Sequence, residues 1–130
     1  MKLIAHVYGK HGCKKCELLK SRLQKLLEKD EYKDISMNYS DVLTLDGIVA
    51  FCKVKCLNPN RIPALVMETE QDGVIKPVPS AHRKSLESQV FGAGVVYSYI
   101  GVQTDYDNGG GVISPAMIES VLTEAKTAVE

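Results

Sequence analysis

The chain has 130 residues, 45% of them hydrophobic and 25% charged, with 16 Lys and Arg balancing 16 Asp and Glu. A formal net charge of zero gives no electrostatic footprint for nucleic acid or an anionic membrane, and no apolar run is long enough to span a bilayer. A single domain over residues 1–130 is expected, able to bury its own core without disulfide staples or a structural metal.

Residues 3–8 form a short apolar run that stops at Gly9. It is too short for the apolar region of a secretion signal, so it reads as a buried strand and the protein as cytoplasmic. Lys10, His11 and Gly12 make a tight loop, and from Cys13 the period becomes helical. Leu19, Leu23, Leu26 and Leu27 share one face, and the helix fades near Lys29 and Asp30. Residues 35–39 alternate apolar and polar and predict a second strand, parallel to the first through a right-handed crossover. Thr44 is the expected N-cap of a second helix whose apolar stripe holds Leu45, Ile48, Val49, Cys52 and Cys56. Gly47 weakens that helix, and Asn58, Pro59 and Asn60 end it.

Residues 62–67 predict a third strand, with Pro63 tolerated at its start. Asp72 and Gly73 signal a hairpin, and Val74 and Ile75 begin the returning strand. Pro77 and Pro79 limit that strand or place it at an edge. Residues 81–91 are read as a helix, Gly92 and Gly94 as breakers, 95–100 as a further strand, and 107–111 as a turn-rich loop. Ser114 and Pro115 open the last helix as N-cap and first helical residue, with Ile118, Val121, Leu122, Ala125 and Val129 facing inward.

Four cysteines stand at positions 13, 16, 52 and 56. Without a secretion signal, paired cysteines point first to catalysis or metal binding. Cys13 and Cys16 lie where a strand turns into a helix. There, unpaired backbone N–H groups and the positive end of the dipole favour a thiolate, and Lys14, Lys15 and a protonated His11 add positive charge. Cys13 is the expected nucleophile. Cys16, one turn on and facing inward, is the expected resolving thiol, and no cofactor is needed for such chemistry. The alternative is a non-catalytic module holding zinc or an iron–sulfur cluster through Cys13 and Cys16, with or without Cys52 and Cys56. Cys52 and Cys56 share an apolar stripe and read more simply as packed small hydrophobes. His6 reads as a satisfied core residue and His82 as helix surface. Tyr97, Tyr99 and Tyr106 read as ordinary strand and loop tyrosines, and residues 105–109 as a turn rather than a calcium loop.

The Cys13-Lys14-Lys15-Cys16 motif at a strand-to-helix turn, the Ile62-Pro63 step before a strand and the Asp72-Gly73 hairpin together resemble the thioredoxin/glutaredoxin superfamily, over about residues 3–75 and the last helix. The resemblance implies an α/β, thioredoxin-like three-layer α/β/α fold with a mixed central sheet. The first and last helices cover one face and the second helix the other. It further implies a cis Ile62–Pro63 bond with the Ile62 backbone pairing to a substrate chain. The partners would be a disulfide-containing protein or small thiol, with a reductase or glutathione as electron source. Substrate-side residues would be Lys14, Lys15, Arg61, Ile62, Pro63, Gly110 and Gly111. The chain departs from thioredoxins in having no Trp, no proline between its cysteines, and Val7 where they carry a buried carboxylate. It departs from glutaredoxins in having Arg61-Ile62-Pro63 and in following Gly110 and Gly111 with Val112, Ile113 and Ser114. Residues 80–111 exceed what either family needs there, as an insertion or an altered last strand.

Overall fold

A computed structural model of the chain describes residues 2–52, 62–79, 93–95, 100–104 and 113–129, to the backbone alone at 48, 50–52, 93–95, 103 and 104. The first strand, β1 (Lys2–Gly9), leads into α1 (Lys14–Leu27); a 3₁₀ turn at Asp30–Tyr32 then precedes β2 (Ile35–Asp41). Next come α2 (Leu45–Cys52), β3 (Ala64–Gln71), β4 (Val74–Pro77), β5 (Ala93–Val95), β6 (Gly101–Thr104) and α3 (Pro115–Val129). The sheet order is β2-β1-β3-β6-β5, with β4 pairing the far half of β3. β1 and β2 are parallel, as the crossover requires, and β3, β4, β5 and β6 add antiparallel pairs. This mixed parallel and antiparallel sheet with its packed helices is a thioredoxin-like α/β fold.

The main core lies between the sheet and the pair α1 and α3. Leu3, Ala5 and Val7 alternate along β1 and meet Leu19 and Leu23 of α1 and Ile118, Val121 and Leu122 of α3. Ser114 caps α3 by accepting from the Met117 N–H at 3.3 Å, as the sequence predicts. Arg22 ties the two helices by donating to the Ile113 carbonyl at 2.8 Å. Met117, absent from the expected apolar face, is buried, while Val129, the last residue of the helix, is 38% exposed. Asp72 and Gly73 both take positive φ, 53° and 79°, making the expected tight hairpin between β3 and β4.

Two expectations are corrected. The expected strand does not reach Ile100, which is a buried bend before β6, the strand that pairs with β3; residues 96–99 lie outside the described residues. Ile100 leaves the strand because it bridges elsewhere, its N–H bonding the Val78 carbonyl and its own carbonyl taking the Met67 N–H, both at 2.9 Å. In α2, Thr44 caps the Gly47 N–H at 3.0 Å as expected, but Leu45 is 79% and Val49 48% exposed. Gly47 packs against the Asp41 carbonyl, so the helix turns its glycine inward and these two side chains outward. The expected helix at 81–91, the loop at 107–111, His82, Cys56, Tyr97, Tyr99 and Tyr106 lie outside the described residues.

Candidate active site

β1 ends at Gly9 because nothing larger fits there. A Cβ at that position would lie 2.9 Å from Cys16 Sγ and 3.2 Å from the Tyr39 ring, so the thiol packs directly on the glycine backbone. The chain then reverses through Lys10, His11 and Gly12, closed by the Cys13 N–H on the Lys10 carbonyl at 3.4 Å. Gly12 takes φ +81°, a conformation that side chains disfavour and glycine adopts freely. The turn delivers Cys13 to the N-cap of α1 with extended backbone, φ −86° and ψ 114°. Its sulfur accepts the Cys16 N–H at 3.2 Å, in the place a serine or aspartate oxygen usually fills.

The two thiols are free and differ sharply in setting. Cys13 is half-buried, and Cys16 is wholly buried at 0% exposure. Burial pushes the Cys16 thiol up to about 12, with the Cys13 sulfur adding to the shift and Lys10 opposing it. Tyr39 shares this environment. Its hydroxyl is pushed up to about 12, first by burial and then by negative charge at Cys16 and Asp41, and Lys20 Nζ lies 4.2 Å over its ring.

A neighbouring loop fixes the turn. Asp41 accepts the His11 N–H at 3.2 Å on one carboxylate oxygen and the Leu43 N–H at 2.9 Å on the other. The Val42 N–H adds a bond to the Gly9 carbonyl at 2.9 Å. Asp41 is a positioning residue that the sequence reading missed. Its signal was an aspartate at a strand end, able to bond the amide two residues on.

The other expected site residues fall as follows. Lys14 is exposed and Lys15 half-buried in the first turn of α1. The Ile62–Pro63 bond is cis, as the resemblance implies, with Ile62 half-buried and Pro63 buried at the entry to β3. Arg61, Gly110 and Gly111 lie outside the described residues, as do Cys56 and the Cys52 side chain. Among the described residues no cluster of three or more His, Cys, Asp or Glu side chains could hold a metal, and no helix is long and apolar enough to cross a membrane.

His6 is buried as expected, but its partners were not foreseen. Nδ1 meets Glu68 Oε1 and Nε2 meets Ser40 Oγ, each at 2.7 Å. The Tyr8 hydroxyl donates to Glu68 Oε2 at 3.4 Å, and its ring stacks on the imidazole at 4.2 Å.

No protein-family model matches the chain, and no curated protein matches it. Among solved structures it is similar to mitochondrial thioredoxin 3 of Saccharomyces cerevisiae in its oxidized form. That likeness has 21% identity and a TM-score of 0.40 and covers 68% of this chain and 76% of that one. It is also similar to a malarial protein at 15% identity and a TM-score of 0.40, over 58% of this chain and 80% of that one. With likenesses at this level, the fold rests on its own strand order, helix placement and packing.

Proposed function

We propose that the chain is a dithiol–disulfide oxidoreductase of the glutaredoxin/thioredoxin kind, with Cys13 as nucleophile and Cys16 as resolving thiol. The observation that carries this reading is the asymmetry of the pair. One sulfur is accessible at a helix start, with a backbone N–H aimed at it, and the other is buried one turn behind with its thiol held up to about 12. A buried thiol that keeps its proton at neutral pH leaves the first attack to Cys13.

The Cys13 thiolate attacks one sulfur of a substrate disulfide, forming a mixed disulfide and releasing the other sulfur as a thiolate. Cys16, on losing its proton, attacks the Cys13 sulfur, closing a Cys13–Cys16 disulfide and releasing the second substrate thiolate. Two electrons pass from the dithiol to the substrate. A reductase or glutathione returns them by the same exchange in reverse. The Ile62 backbone, beside cis Pro63, is the edge on which the substrate chain lies, with Arg61, Gly110 and Gly111 as further contacts and Lys14 and Lys15 flanking the sulfur. Residues 1–130 act as one domain in this reading, and the setting is the cytoplasm, where free thiols persist.

The test is a redox titration in glutathione buffers with thiol trapping, peptide mapping of all four cysteines and a metal assay. A reversible Cys13–Cys16 disulfide is expected, with a potential between about −180 and −270 mV, the span from disulfide isomerase to thioredoxin. Cys13→Ser should abolish disulfide reduction, and Cys16→Ser should accumulate mixed disulfides. Full activity in Cys13→Ser, or four protected cysteines with bound metal, overturns the reading.

A further inference from the structure

The thiol chemistry makes no use of the polar chain built across the opposite face of the sheet. Ser40, His6 and Glu68 sit on three neighbouring strands, β2, β1 and β3, and their side chains are joined by two 2.7 Å contacts through the imidazole. We propose that this chain is a second nucleophilic site, in which Ser40 is activated by His6 for acyl transfer from small carboxylic esters.

The roles follow from the partners. With His6 neutral, the Glu68 carboxylate, which can only accept, takes the proton on Nδ1, and Nε2 then turns a lone pair to the Ser40 hydroxyl. The Tyr8 hydroxyl donates to the second Glu68 oxygen, and the Tyr8 ring lies 4.2 Å from the imidazole with an interplanar angle of 10°. The base is therefore held in one tautomer and one plane. A nucleophile within hydrogen-bond reach of a base, which is itself oriented by a third group, is the arrangement that activates a serine, whatever the fold. The exposures are graded to match: His6 is 8% and Glu68 5% exposed, while Ser40 is half-buried on the edge strand β2.

The step balances without a cofactor. Ser40 Oγ bonds to the ester carbonyl carbon as its proton moves to His6 Nε2. The ester C–O bond breaks, and the leaving alcohol takes that proton. Water then attacks the acyl-serine carbonyl as its proton moves to the same nitrogen, the acyl C–Oγ bond breaks, and that proton passes to Ser40 Oγ, releasing the carboxylic acid and restoring Ser40 and His6.

The experiment uses a Cys13→Ser/Cys16→Ser chain, which removes thiol esterase activity from the other site and keeps the two proposals separable. The full chain is treated with a fluorophosphonate and mapped by mass spectrometry, and p-nitrophenyl acetate hydrolysis is followed in parallel. Labelling at Ser40 is expected. Hydrolysis should fall about 10²- to 10⁴-fold in Ser40→Ala and comparably in His6→Gln. Ser40→Ala leaves the His6–Glu68 pair in place, and an unchanged urea midpoint verifies its fold. An unlabelled Ser40 in folded protein overturns the proposal, and so does a hydrolysis rate unchanged by either substitution.

Discussion

The two faces of the central sheet are made from the same strands, yet only one of them buries a polar group. Toward α1 and α3, Leu3, Ala5, Val7, Leu65 and Met67 lie in a continuous apolar cluster. One residue along in either strand, the opposite face buries Ile4, Ala64 and Val66 and, among them, His6, Tyr8 and Glu68, which are held by hydrogen bonds. The first face draws its stability from area removed from water; the second adds to that the requirement that its buried polar groups keep their partners. An apolar face fails by opening a cavity, whereas a polar one fails by leaving a group unsatisfied.

The largest expected loss is on the apolar face. Leu23 is fully buried between α1 and the sheet, and Leu23→Ala should cost about 2–5 kcal/mol by urea unfolding. On the polar face, Glu68→Ala should cost less, about 1–3 kcal/mol, because it leaves the His6 Nδ1–H without its acceptor. The contrast sharpens in a double-mutant cycle. His6→Phe with Glu68→Leu should lose clearly less than the sum of the two single changes, since no partner is left behind. Additive losses would show that the polar face is held by packing, like its neighbour.

The smallest effect is a slope with pH. Unfolded, a cysteine gives up its proton near 9.0, and burial in the folded chain pushes Cys16 up to about 12. Between those values the unfolded chain holds fewer protons than the folded one, so stability falls as pH rises through the window. Tyr39 adds in the same direction, from 10.0 to about 12. The urea midpoint should therefore drop between pH 8.5 and 10.5 and drop less steeply in Cys16→Ala. Equal slopes would mean that Cys16 is more hydrated than its burial implies.

Much of the apolar face was legible in the sequence and little of the polar one. The spacing of Leu19, Leu23 and Leu26 and the Ser114 cap are local patterns, and local patterns survive folding. So does the start of α1 at Cys13, because Gly12 and the preceding strand set it within a few residues. The polar chain joins residues 62 and 34 positions apart, and no window along the sequence holds both ends. Glu68 was masked further, since a charge after an apolar run reads as the end of a strand, whereas β3 continues to Gln71. The outward turn of Leu45 and Val49 was hidden for a related reason: it depends on Gly47 meeting a carbonyl of a different element.

The cap of α1 has a consequence for what the helix can report. Most helix starts are tied down by an oxygen that takes no part in chemistry, whereas this one is tied down by the Cys13 sulfur. Bonding that sulfur to another changes the acceptor offered to the Cys16 amide, so the chemical state of one atom is written into the first turn of the backbone. Deuterium uptake at that single amide then becomes a gauge of whether Cys13 is free or engaged, readable without touching either thiol.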